Sequence, residues 1–297
     1  MIRRLDLGFV TPLRSQAIYH GLAEAMDAGR PDTIVFCAPA EPYFCVGYHQ
    51  NAADILDLAL CRRRGWPVLR RRIGGGAVYL DRHQLFYQAI VHRSRAPFSV
   101  ERVYATYLAA PVLALERFGL AAALRAPNEI EVGGRRIAGT GGGQIGEAMV
   151  VVGNVLFDFP DACLARAWRA PSRPFRRLAH DGLKRCLTTL ARELEAPPSM
   201  EALRDAIAAA YAETLGEELV AGALTARARP GPGVRRGSRR ARCRRRPPPR
   251  RAARHRCRRS GGRRPRSRSA PGAPRRARSV RGRARARPGR SRRFARR

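Results

Sequence analysis

The chain has 297 residues, 44% of them hydrophobic, and a formal net charge of +36. That charge is unevenly spread: residues 1–224 hold 27 cationic and 23 acidic side chains, whereas residues 225–297 hold 32 arginines and no acid. The first part is long and apolar enough for one domain that buries roughly 70–75% of its unfolded surface, while the second lacks Leu, Ile, Met, Tyr and Trp and cannot build a core.

The N-terminus has no apolar h-region, and the longest apolar stretch, 148–157, is too short to span a bilayer. A soluble, cytoplasmic protein with no membrane partner is expected. The seven cysteines form no CxxC pair and show no zinc-ligand spacing, which makes reduced thiols the default.

In chain order, Thr11 and Pro12 start a helix that Gly29 stops. Strands are expected at 33–37 and 44–47, the second leaving into the polar loop Tyr48-His49-Gln50-Asn51, and a helix at 52–64. Val68-Leu69 and Ala77-Val78-Tyr79 read as strands on either side of Arg70-Arg71-Arg72-Ile73-Gly74-Gly75-Gly76. Three glycines let the backbone turn and approach a ligand, their exposed N–H groups suit an anion, and the arginines add charge.

A strand follows at 85–91, then a helix at 100–118 that Pro111 should kink or break. A hairpin of 126–132 and 135–138 turns on Gly133-Gly134 and runs into a second glycine-rich loop at 139–146. After a strand at 149–157 come a short helix at 161–168, a basic loop at 171–177, and helices at 183–194 and 201–215. This is an α+β domain, a mixed β-sheet packed with helices, with two glycine-rich loops.

Lys184 is the sole lysine beside 58 arginines, the bias of a gene rich in G and C. Arg, Ala, Pro, Gly and Ser are what a shifted frame through such DNA would yield, so residues 225–297 read as a disordered, out-of-frame extension. The competing reading is a genuine arm that binds nucleic acid through counterion release. Against it, Phe294 is the tail's one aromatic platform.

The segment from Arg70 to Asp81 with Gln84 and Leu85, preceded by Val46 to Asn51 and followed by Asn128-Glu129-Ile130 and Gly134 to Gly139, resembles the lipoate-protein ligase A branch of the biotin/lipoate ligase superfamily. The resemblance covers about residues 1–220, in order and spacing, and implies that family's catalytic-domain fold over residues 1–224. It also implies an ATP- and magnesium-dependent reaction: lipoate or octanoate is adenylated, and the acyl group passes to a lysine of a lipoyl domain, of the 2-oxoacid dehydrogenase or glycine cleavage H protein type.

Position by position, the resemblance implies that Arg71, Arg72, Gly74, Gly75 and Gly76 hold the acyl-adenylate, with Ala77, Val78 and Tyr79 beside them. Val78 and Tyr79 would wall the acyl tunnel, which Gly47 and His49 join. Gly139 and Thr140 would meet the adenylate, and Asn128 and Glu129 would bind magnesium. Arg136 stands at the family's catalytic lysine. An arginine keeps the charge but occupies different space and stays protonated.

Other departures are Leu80 and Val151-Val152, where the family carries histidines, and the lack of a counterpart to its small C-terminal domain, which a separate subunit would have to supply unless a frameshift destroyed it. Gln84 is closer to the octanoyltransferase relatives. Two alternatives therefore stand: an octanoyltransferase that takes its acyl group from acyl carrier protein through a cysteine thioester, and a silent binding protein whose tail contacts nucleic acid. A biotin ligase fits less well, because the Gly-Arg-Gly-Arg arrangement is missing.

Overall fold

The computed structural model describes residues 1–125 and 127–224. Ala126 and the arginine-rich segment, with Cys243, Cys257 and Phe294, lie outside the described residues. The elements are β1 (Ile2–Val10), α1 (Pro12–Glu24), β2 (Thr33–Pro39), β3 (Tyr43–Val46), α2 (Ala52–Ile55), α3 (Leu58–Arg63), β4 (Val68–Arg70), β5 (Val78–Leu80), β6 (Gln84–His92) and α4 (Val100–Arg117). They continue with β7 (Ala122–Arg125), β8 (Glu129–Val132), β9 (Arg135–Ile145), β10 (Ala148–Leu156), α5 (Asp161–Ala167), α6 (Arg173–Cys186), α7 (Leu190–Glu193), α8 (Met200–Leu215) and β11 (Leu219–Ala221).

An eight-stranded mixed sheet, ordered β11-β1-β2-β6-β10-β9-β8-β7, forms the body, and a second sheet is ordered β4-β3-β5. Alternation along β2, β6 and β10 sends side chains to both faces of the large sheet. On one face Ile34, Phe36, Tyr87, Ala89 and Val151 pack with Leu108 and Leu115 of α4 and Leu203 and Ile207 of α8. On the other, Val35, Phe86, Ile90 and Val150 meet Ile18 and Leu22 of α1 and Cys45, Leu69 and Leu80 of the small sheet.

Local chemistry explains most boundaries. Thr11 caps α1 by accepting from the Arg14 N–H, with Pro12 in the first turn. The helix expected at 52–64 is two, because Asn51 and Asp57 each cap a start and Leu56 between them bridges to Trp168. Gly133 and Gly134 have φ of 57° and 74°, the pair of positive values that a two-residue hairpin turn requires.

Three expectations need correction. The second glycine-rich stretch is not a loop: residues 139–145 continue β9, paired from Gly139↔Asn154 to Ile145↔Ala148. The basic loop at 171–177 is the start of α6, capped by Ser172, with Pro174 in the first turn where its missing N–H costs nothing; the helix expected at 183–194 thus ends at Cys186. Finally, α4 runs on through Pro111. Proline leaves the carbonyl four residues earlier without its helical donor, and here the Tyr211 hydroxyl of α8 donates to that Tyr107 carbonyl at 2.9 Å.

Candidate functional site

Strands β4 and β5 are not neighbours: β4 runs parallel to one side of β3 and β5 antiparallel to the other. The glycine segment joining them must therefore arch over the end of β3. Gly47 lies under that arch, where a Cβ would sit 2.0 Å from the Gly75 carbonyl oxygen, and Gly75 itself has φ of 99°. Neither position admits another residue without moving the arch.

Arg71 is the buried post inside it. Its Nε and Nη2 donate to the Gly74 carbonyl at 3.0 and 2.8 Å, Nη2 also to Gly76 at 2.8 Å, and Nη1 to Cys45 at 3.3 Å. Arg70 ties down the adjoining loop, donating to the carbonyls of Gly47 at 3.0 Å, Tyr48 at 2.8 Å and Gln50. Arg72 turns toward α1, where its N–H donates to His20 Nε2 at 3.3 Å and its guanidinium pairs with Glu24. Burial, and then the Arg72 charge, push the His20 pKa down to about 4, so this histidine is a neutral acceptor.

Under the arch lies a strip of backbone without side chains. Gly139, Gly141 and Gly143 alternate along β9 and so share one face. Cβ atoms placed at Gly141 and Gly143 would each meet Ile73 at 3.5 Å, and one at Gly139 would meet Asn154 Oδ1 at 2.9 Å. Asn154 donates to Gln84 Oε1 at 2.7 Å, and Gln84 donates to the Tyr79 carbonyl at 3.2 Å and to Asp81 at 3.4 Å. Burial holds the Asp81 carboxyl above the ordinary carboxylate range. Val78 faces this side with Ile73 and Cys45, whereas Tyr79 points the other way, edge-on to Phe44 and Phe159. His49 is exposed, its ring edge-on to Tyr48.

The start of β9 carries the charged part. Arg136 forms an ion pair with Glu129, and Arg125 reaches Glu129 at 3.3 Å and Glu131 at 2.9 Å. Burial, and then the Arg125 charge, lower the proton affinity of Arg136. The Arg136 carbonyl accepts from the Thr188 N–H at 2.9 Å, which fastens the end of α6 to this strand. Asn128 Nδ2 donates to the Thr140 carbonyl at 3.4 Å while the Thr140 hydroxyl donates to the Asn128 carbonyl. Tyr104 of α4 touches the Asn128 side chain and the Gly142 backbone.

The structure thus gathers Gly47, Arg71, Gly74, Gly75, Gly76 and Val78 at the arch, with Gly139 on the strip beneath. Arg136, Asn128, Glu129 and Thr140 gather at the start of β9. It sets Arg72, Tyr79 and His49 apart from both groups. Sequence reading missed Ile73, Tyr104 and Asn154. Asn154 had a signal, a polar residue within an apolar strand; Tyr104 had none. A cavity of about 180 Å³ lined by Asp32, Arg95, Tyr107 and Glu217 opens on the α4 side, away from the strip.

A glycine arch thus lies over one face of β9, with Ile73 between them and the Arg136–Glu129 ion pair at the start of that strand. A model of the lipoyl protein ligase A/B catalytic domain matches residues 11–212, and the chain belongs to that family. It is 29% identical over 249 residues to the octanoyltransferase LipM of Symbiobacterium thermophilum, covering 76% of this chain and 90% of that protein. With LipM of Kyrpidia tusciae it shares 28% identity, covering 67% and 81%.

Among solved structures, the fold is similar to a bi-partite lipoate protein ligase studied with its E2 lipoyl domain from Thermoplasma acidophilum, with a TM-score of 0.70, 21% identity, and coverage of 77% and 89%. Lipoate-protein ligase A bound with ATP gives 0.65, 20%, and coverage of 76% and 90%. Among the described residues no helix is long and apolar enough to cross a membrane.

Proposed function

We propose that this chain transfers an octanoyl group from a carrier thioester to a lysine of a lipoyl domain, in preference to activating the free acid with ATP. The carrying observation is the engagement of Glu129 by two guanidiniums, Arg136 and Arg125. A carboxylate closed between two cations does not fit magnesium without breaking both pairs, and Asn128 is already turned to Thr140. The similarity to octanoyltransferases supports the same reading.

In this reading the acyl chain lies along the glycine strip of β9 under the arch, facing Ile73 and Val78. Arg136 stabilises negative charge on the thioester carbonyl oxygen as it develops. An arginine stays protonated, so it is no base. The order of bonds follows. The enzyme sulfur attacks the carbonyl carbon, the carrier C–S bond breaks and the proton of the enzyme thiol passes to the carrier sulfur, which leaves as the thiol; the lysine amine then attacks the enzyme thioester, the new C–N bond forms, and the departing enzyme sulfur takes the amine proton.

Such a relay needs an accessible thiol beside the cation. Cys186 is exposed and precedes Leu187, whose backbone bridges to that of Arg136. Cys37 is sealed in the core, its thiol pushed up to about 12 by burial, and burial likewise raises that of Cys45.

The test supplies the full chain and a lipoyl domain with either octanoyl-carrier thioester alone, or octanoate with ATP and magnesium, and weighs the acceptor by mass spectrometry. Octanoylation from the thioester without ATP is expected, together with at least ~100-fold loss in Arg136→Ala. Octanoylation only from acid and ATP would overturn the reading. Full activity in Cys186→Ser would remove the covalent relay and leave direct transfer to the lysine.

A further inference from the structure

The pairing of β8 with β9 shifts between Glu131↔Arg136 and Ile130↔Ala138, which leaves Ile137 as an extra residue on β9. Ile137 and Ala138 both belong to the cluster packed on α4 and α8. Two successive residues on one face interrupt the alternation, so Arg136 comes to lie on the opposite face, the one that Gly139, Gly141 and Gly143 share.

That face is covered unevenly. Ile73 meets the Cβ positions of Gly141 and Gly143, whereas the three atoms nearest a Cβ at Gly139 all belong to the Asn154 side chain, Oδ1 first at 2.9 Å. Arg136 precedes Gly139 by three residues, about 10 Å of strand at most. The cation and the carboxamide thus address the same short stretch.

The direction of the carboxamide is fixed from behind. A carbonyl can only accept, so the Gln84 amide nitrogen must face the Tyr79 carbonyl, which it reaches at 3.2 Å. Gln84 Oε1 then faces Asn154, which offers its Nδ2 at 2.7 Å and turns Oδ1 toward Gly139. Gln84 is fully buried and Asn154 half-buried, so the orienting bond is shielded.

The other polar side chains gathered at the start of β9 are engaged. Arg136 only donates, Glu129 is held by Arg136 and Arg125, and Asn128 and Thr140 are each bonded to the other's backbone. That leaves Asn154 Oδ1, to which no group among the described residues donates. An amine that attacks an acyl carbonyl presents N–H donors, and a cation cannot orient them.

We propose that Asn154 Oδ1 accepts a hydrogen bond from the attacking lysine amine and so aims its lone pair at the acyl carbon, with Gln84 as the positioning residue that holds the carboxamide in that direction. The proposal rests on the reading above only in that a lysine amine is acylated, and it applies to either acyl source. The C–N bond forms and the bond to the leaving group breaks. The carboxamide takes no proton; on the thioester route the proton goes to the departing sulfur.

The experiment uses the full chain with octanoyl-carrier protein and a lipoyl domain. It measures kcat, the KM for the lipoyl domain, and the partition of octanoyl groups between lysine and water, from the mass of the domain and the free octanoate formed. Partition is a ratio within active molecules, so a variant that folds incompletely does not distort it. Asn154→Leu removes the acceptor at similar volume, whereas Asn154→Asp keeps an oxygen toward the strand and loses the donor to Gln84. Asn154→Leu is expected to lower kcat and shift the partition toward water, each at least about tenfold, with KM held within about twofold. Asn154→Asp should keep a partition within about threefold of wild type even where its melting temperature falls. Gln84→Met, which frees the carboxamide to turn over, should shift the partition the same way by a smaller factor.

Unchanged kcat and partition in Asn154→Leu would overturn the proposal. Equal losses in Asn154→Leu and Asn154→Asp would overturn it as well, because the bond to Gln84 would then be what matters, and no shift in Gln84→Met would remove the part given to Gln84. If wild type acylated the domain only from octanoate with ATP, the thioester reading would fail, and the same comparisons made with that donor would still decide Asn154. Acylation from neither donor would overturn both.

Discussion

Arg71 and His20 show why a residue's type does not give its task. The three arginines before the glycine segment suit an anion by charge, yet the Arg71 guanidinium is spent on the carbonyls of Gly74, Gly76 and Cys45. A loop whose carbonyls turn inward needs a buried multivalent donor, and arginine has five N–H groups in a fixed fork. What the sequence could not give was the direction of those carbonyls. His20 is the acid-sensitive counterpart, holding the Arg72 N–H through a ring nitrogen that must stay unprotonated.

With a native His20 pKa of about 4 against about 6.5 in the unfolded chain, the unfolded state binds the extra proton. Stability from this group is full above pH ~6.5 and falls as pH drops toward 4, by a few kcal/mol at most. Urea titrations across that window should show the loss, and His20→Gln should flatten it. Equal pH dependence in both proteins would show that His20 is not the group responsible.

At the level of elements, the strongly apolar or well-capped segments were legible, and those shaped by tertiary partners were not. Thr11-Pro12, the Gly133-Gly134 turn and strands β2, β6 and β10 follow from local rules. Residues 139–145 do not: four glycines within seven residues read as loop, and only pairing to β10 makes them strand. Helix α4 passes Pro111 for the same kind of reason, a donor supplied from elsewhere. Strands β1 and β11 went unread because β11 is three residues long and β1 interrupts its apolar alternation at Gly8.

The α4 arrangement makes a quantitative expectation. Tyr211 is fully buried, and Tyr211→Phe would leave the Tyr107 carbonyl without the donor that replaces the missing proline N–H. The loss should be about 1–3 kcal/mol, read as a lower denaturation midpoint with an unchanged slope. A double variant with Pro111→Ala, which restores a backbone N–H there, should recover part of it. No loss in Tyr211→Phe would mean that the carbonyl finds water.

For the molecule as a whole, the two ends of the described residues meet. Strand β11 pairs with β1, the N-terminal amine pairs with Glu217, and Leu224 packs against the cluster holding α1. We expect a chain ending at Leu224 to unfold in one cooperative transition, with a midpoint close to that of the full chain. A chain ending at Gly216 would lose β11 and the Glu217 pairing, and should melt lower. A full chain far more stable than the 224-residue form would assign the arginine-rich segment a part in the fold.

The bare strip on β9 also bears on how acyl preference can change over time. At Gly139 a methyl already meets Asn154 Oδ1, and a side chain larger than a methyl at Gly141 or Gly143 would press on Ile73. At the acyl site proposed above, heritable adjustment of chain length would therefore enter through Ile73 and Val78, or from beside the strip through Val150 and Val152. One surface of that proposed site would be evolutionarily mute, and the other would carry the variation.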